Sequence, residues 1–211
     1  MSEDNGEGAA KVGILPTHIS LVMEKERIGD FFPIMQHGFF VQAWLPCTAG
    51  NLLHEQFGLE REYISERITT IFLNGKPIDD PDEALVSDHS TIALSAAMPG
   101  VVGASLRRGS FYAAMRDAVT YTEREIPTDS FEGVVRIKIF NLLLTELGPG
   151  FLKRGIMITP SDLPDSILHH PETIRQGCNM SANGQPVDHS RLTEDDTFIK
   201  GDLIKLTIEF R

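Results

Sequence analysis

The sequence predicts an α+β chain made of two tandem domains, each a mixed sheet packed on one helix. Three observations predict it. The segment Asn74-Gly75-Lys76-Pro77-Ile78-Asp79 returns as Asn183-Gly184-Gln185-Pro186-Val187-Asp188. Each half opens on an apolar alternation, Ile19-Ser20-Leu21-Val22-Met23 and Val135-Arg136-Ile137-Lys138-Ile139. Each half also closes on one, Ser90 to Ser95 and Asp202 to Ile208. Self-similarity in the order of elements is the mark of a duplication. It divides the chain into an acidic N-terminal tail (1–17), domain 1 (18–98), a Gly/Arg-rich connector with a short helix (99–130) and domain 2 (131–211).

Each element has its own signal. Period-two apolar residues bounded by Gly and Pro fit half-buried strands, so 19–23 pairs in expectation with Gly38-Phe39-Phe40-Val41 as a hairpin. Val135–Ile139 pairs likewise with Gly155-Ile156-Met157-Ile158. Phe31-Phe32 and Leu142-Leu143-Leu144 then fall in hairpin turns, where they are unusually apolar. They belong either to a buried inter-domain edge or to longer strands. A helix is expected over Ala49 to Phe57 with Thr48 as its N-cap. Its counterpart runs from about Ser161 to His169, kept short by Pro164. An apolar strand then enters each Asn-Gly pair, which reports a tight turn needing positive φ.

This order resembles the β-grasp, the ubiquitin-like fold of the small sulfur carriers of molybdopterin and thiamine synthesis. The resemblance rests on the opening hairpin, the helix, the strand into Asn-Gly-x-Pro-(Ile/Val)-Asp, and a last strand introduced by Gly201-Asp202. It implies tandem ubiquitin-like domains that bind proteins, or a carrier-derived role in sulfur transfer. Those carriers end in a free Gly-Gly, whereas this chain ends in Ile208-Glu209-Phe210-Arg211. Carrier chemistry would therefore need cleavage at Gly100 or Gly103.

The connector is the odd segment of an acidic chain. It runs Pro99-Gly100-Val101-Val102-Gly103-Ala104-Ser105-Leu106-Arg107-Arg108-Gly109-Ser110, followed by a short helix that Ser110 would cap. Three readings stand side by side. It is a linker whose arginines pair with nearby acids, or an anion site in which Gly100, Gly103, Gly109 and the amides near Ser110 meet a phosphate beside Arg107 and Arg108. As a third reading, it is an extended protein-docking tail that includes Ser105. Neither GxxxxGK[ST] nor GxGxxG is present.

The formal charge of −11 argues against nucleic acid or anionic lipid as partner, because repulsion opposes the usual counterion release. No run of about 18 apolar residues is present, so no membrane span is expected. Two distant cysteines, Cys47 and Cys178, fit a reducing cytoplasm rather than a disulfide framework. No catalytic constellation, metal site or cofactor is expected. His169-His170 with Cys178 lacks a fourth ligand, and the acidic run Asp79 to Glu83 reads as a solvated loop. Cys47, beside a helix start, is either buried or an activated thiol. Trp44 reads as core or interface packing. Domains this small are marginal alone, so the copies pack on each other or form a homodimer. The function expected is non-catalytic binding of a protein partner, with carrier-type sulfur transfer as the alternative.

Overall fold

The computed structural model describes residues 17–96, 100–109, 129–163, 179–187 and 203–211. The first alternation forms β1 (Thr17–Met23), which buries Thr17, Ile19, Leu21 and Met23 on one face. A 3₁₀ stretch (Lys25–Phe31) and helix α1 (Phe32–His37), entered through Pro33, lead into β2 (Phe39–Leu45). Next come β3 (Cys47–Thr48) and α2 (Ala49–Asn51), which continues as a π-type turn over Leu52–Gln56. Thr48 Oγ1 accepts the Asn51 N–H at 3.1 Å, the cap expected from the sequence. The first half ends with α3 (Arg61–Glu66), β4 (Thr70–Leu73), β5 (Lys76–Ile78), β6 (Leu85–Val86) and β7 (Thr91–Ser95). Beyond it lie α4 (Gly100–Leu106), β8 (Phe131–Phe140), α5 (Leu143–Arg154), β9 (Ile156–Ile158), β10 (Asn179–Ala182), β11 (Gln185–Pro186) and β12 (Ile204–Phe210).

Among the described residues, ten strands form one mixed sheet in the order β11-β10-β1-β12-β9-β2-β8-β7-β4-β5. The chain is thus α+β with a large mixed sheet and few helices. The two expected hairpins are absent. β1 pairs with β10 and β12 rather than with β2, and β8 and β9 flank β2 on its two sides. The supposed hairpin turns are helical: Phe31 and Phe32 lie at the junction of the 3₁₀ stretch and α1, and Leu143 and Leu144 open α5. Gly148-Pro149-Gly150 hides α5 in the sequence, since it reads as a helix breaker. Packing overrides that local preference. Gly148 lets α5 approach α1 so closely that a β-carbon there would stand 2.8 Å from Met35 Sδ.

Strand pairing also crosses the boundaries drawn at 18–98 and 131–211. β1 belongs wholly to the sheet half of β9–β12, and β8 to that of β2–β7. The two Asn-Gly turns show which strands correspond. Asn74 and Gly75 both have positive φ, as do Asn183 and Gly184. Asn74 Oδ1 accepts the Thr91 N–H at 2.8 Å, and Asn74 N–H donates to Thr91 O at 2.8 Å. Asn183 does the same with His18, at 2.9 and 2.8 Å. β1 therefore stands in the second half where β7 stands in the first. The equivalent of β8 is β12, each lying between a strand that follows a helix-ending glycine and a parallel neighbour. The sequence match of β1 with β8, and of β7 with the last strand, inverts this correspondence.

The core lies between one face of the sheet and the helices. Phe151 on α5 meets Phe39 and Phe57 with ring centroids 5.2 Å apart in both cases. Leu52, Leu53, Met35, Leu143 and Leu152 fill the space around them and are buried. The opposite faces of β1, β2, β8 and β12 are half-buried to exposed.

Candidate functional site

The uncovered face has a groove of about 600 Å³ at the junction of the two halves, within the range of ligand sites. Its floor comes from the alternation of β2. Phe39, Val41, Ala43 and Leu45 point into the core, which leaves Phe40, Gln42 and Trp44 on the other face. Trp44 is 61% exposed, so it packs neither in the core nor between the two halves, against the expectation of core or domain-interface packing. The polar Gln42 two positions earlier was the available signal.

The groove exists because β9 is short. Its pairing with β2 is Phe40 opposite Met157, and two residues earlier, opposite Gln42, the chain has only just turned out of α5 at Gly155, φ +101°. Among the described residues, no strand thus continues along β2 past Phe40 on this edge. The amide of Gln56 replaces it in part. Trp44 N–H donates to Gln56 Oε1 at 2.8 Å, and Gln56 Nε2 donates to Trp44 O at 3.0 Å. This side chain reproduces the paired hydrogen bonds of a neighbouring strand at one residue. Gln56 Nε2 also reaches Cys47 Sγ at 3.4 Å.

Arg154 holds the wall. Its Nη1 and Nη2 donate to Gln56 O at 3.2 Å and Phe57 O at 2.7 Å, and its guanidinium lies 5.6 Å from the Phe57 ring centroid. Lys205, from β12, lies across Gly155: a β-carbon at that glycine would be 3.1 Å from Lys205 Cε. Lys205 and Arg154 line the groove toward Met157, whereas Glu132 pairs in register with Trp44 and Glu55 adjoins Gln56. The site is bipolar.

The chain matches no protein-family model, no curated protein and no solved structure. Its own geometry carries the functional reading.

The residues singled out from the sequence lie elsewhere. Gly100 and Gly103 are in α4, so the stretch over Gly100–Leu106 is helical rather than an extended tail. Ser105 is half-buried, and Arg107 and Gly109 are exposed. Arg108 is a clasp: its N–H donates to Thr69 O at 2.9 Å, and its Nη2 donates to Ile68 O at 2.6 Å and to Ile64 O. Burial lowers its pKa, with Asp79 and Asp80 opposing the shift. Ser110, His169, His170 and Cys178 lie outside the described residues, as do most of the expected 161–169 helix and the Gly201-Asp202 turn. Only a 3₁₀ turn, Pro160–Asp162, is described there.

Other chemistry is sparse. Cys47 is half-buried, and burial pushes its thiol up to about 11, against a smaller lowering by Gln56. That is the opposite of activation. His18, Ser20 and Thr207 form a small hydroxyl–imidazole cluster across β1 and β12, with Thr207 Oγ1 2.9 Å from both His18 Nε2 and Ser20 Oγ. Burial, then Lys205, lowers the His18 pKa. Among the described residues no group of three His, Cys, Asp or Glu is placed to hold a metal, and no helix is long and apolar enough to cross a membrane.

Proposed function

We propose that the chain is a non-catalytic protein-binding module, built from two β-grasp-like halves with exchanged strands, whose uncovered sheet face receives a partner. The observation that carries this reading is the exposed Trp44 beside an edge of β2 that no strand covers among the described residues. Single exposed apolar residues are ordinary, but Trp44 shares its groove with Phe40 and Met157. Aromatic and methionine side chains with a few cations are the residues that anchor protein interfaces.

The β-grasp part of the reading draws on the two Asn-Gly hairpins. Each is clamped to a central strand that runs parallel to its other neighbour. The carrier-type alternative draws nothing from Gly100 and Gly103, which sit in α4.

The experiment compares immobilised full chain with a Phe40→Ser/Trp44→Ser variant in cell lysate. Proteins retained by the first and lost by the second, at unchanged circular dichroism, are the expected result. Identical retained sets would defeat the proposal.

A further inference from the structure

From this groove, and resting on the protein-binding reading above, we infer that the occupant is the extended C-terminal end of another polypeptide, paired edge-on with β2 and held by its free carboxylate at Lys205. The argument begins with the backbone. Alternate residues of a strand present their N–H and C=O to the same edge, so Gln42 and Trp44 share the edge that Phe40 uses toward Met157. β9 leaves that edge after one pairing, and Gln56 fills it only at Trp44. A peptide strand entering here exchanges the two Gln56 bonds for two backbone bonds, so no buried donor or acceptor is orphaned.

Direction follows from the sheet. β9 runs antiparallel to β2, and a strand that continues β9 backward ends where Gly155 begins. Gly155 itself stands opposite Gln42, so the last residue of that strand lies opposite Ala43, its penultimate residue opposite Trp44 and its third-from-last opposite Leu45. The terminal carboxylate then faces Lys205, whose Cε lies over Gly155 because that glycine has no side chain. Arg154 is the other cation at this end, although two of its nitrogens already serve Gln56 O and Phe57 O.

The two ends of the groove select opposite charges. The penultimate side chain lies on the uncovered face beside Trp44, whose register partner is Glu132. A lysine or arginine there stacks on the indole and faces a carboxylate. The last side chain points with Ala43 toward the core side, near Phe57, and is apolar. The partner therefore ends in a basic residue followed by an apolar last residue with a free carboxylate.

The chain contains one tryptophan, so its fluorescence reports this groove. Full-length protein is titrated with free-acid heptapeptides ending in Val-Lys-Val, Val-Lys-Leu and Val-Lys-Phe, and with the same peptides as C-terminal amides. At least one free acid is expected to change Trp44 emission saturably, with a Kd on the order of 100 μM. Amidation should weaken it about tenfold, and Lys205→Ala should weaken the free acid about tenfold while leaving the amide unchanged. Gln56→Ala, which removes the internal competitor, should tighten binding about threefold. Equal affinity for acid and amide overturns the carboxylate assignment, and absence of a saturable change even with Gln56→Ala overturns the proposal. Neither result touches the lysate comparison, where loss of the protein-binding reading shows as indifference to the Phe40→Ser/Trp44→Ser change.

Discussion

Phe40 and Met157 face each other across the seam between the two halves of the sheet, and each stands two residues after a glycine that ends a helix. Gly38 has φ +111° and Gly155 φ +101°, a region that side chains other than glycine's rarely adopt. Each glycine also lies under a cation of the next strand. A β-carbon at Gly38 would be 2.7 Å from Arg136 Nε, and one at Gly155 would be 3.1 Å from Lys205 Cε. The seam is a local dyad, and the groove opens beside it.

Gly155→Ala should therefore lower stability by about 1–3 kcal/mol, combining backbone strain with the close approach of Lys205 and Thr207. Gly75→Ala is the comparison, since its φ is +80° but nothing stands within 4 Å of its β-carbon position. It should cost only the strain, about 1–2 kcal/mol. Urea unfolding of both variants checks the order; a Gly155 variant as stable as the parent would show that the seam adjusts freely.

Asn183 ties a strand from the start of the chain to a hairpin near its end. Asn183→Ala should remove one hydrogen bond to the His18 amide, at a cost of about 1 kcal/mol. The readout is amide exchange, with His18 losing protection while Thr91, held by Asn74, keeps it. A stronger form of the same idea concerns a fragment of residues 131–211. It lacks β1, the strand that lies between β10 and β12, so it should give no dispersed amide spectrum on its own. A folded fragment would mean that β10 and β12 can pair directly.

These relationships mark what could be read from residues alone. Period two revealed the strand segments 19–23, 39–41 and 135–139, because half-buried strands write their two faces into the sequence. The Asn-Gly pairs announced their turns through the need for positive φ. Partner choice was not legible, since β1 and β8 carry nearly the same alternation and alternation does not say which strand lies alongside. α5 was masked by Pro149 and its flanking glycines, whose meaning appears only when Met35 is seen against Gly148. Trp44 was assigned by residue type, although the period that buries Phe39 and Val41 necessarily turns it outward. Arg107 and Arg108 drew notice as charge, but Arg108 turned out to hold carbonyls.

A three-residue contact joins α3 to α5. Glu146 accepts from Tyr63 Oη at 2.7 Å and pairs with Arg67 through both carboxylate oxygens. The hydrogen bond from Arg67 holds the Glu146 carboxyl below its usual range, and burial and Glu146 together raise the Tyr63 phenol. A depressed carboxylate pKa contributes stability that is present above the unfolded value and is lost as pH falls through the folded one. Glu146→Gln should thus destabilise the chain at pH 7 but progressively less on acidification below about pH 4.3. Solvent screening keeps the effect small. Parallel unfolding curves at pH 7 and pH 3 test it, and a variant with the same deficit at both would rule out the charged pair as its cause.

Of the two sequence expectations for Cys47, a buried residue or an activated thiol, the structure favours burial. With its pKa pushed up to about 11 by burial, the thiolate fraction at pH 8 is about one part in a thousand. In a Cys178→Ser background, iodoacetamide should label folded protein slowly at pH 8 and much faster as pH approaches 11. Binding of a peptide that displaces Gln56 removes the hydrogen bond to Sγ and should slow labelling further, because that bond favours the thiolate. Fast labelling at pH 8 would mean that the thiol is more open than its place behind Gln56 allows.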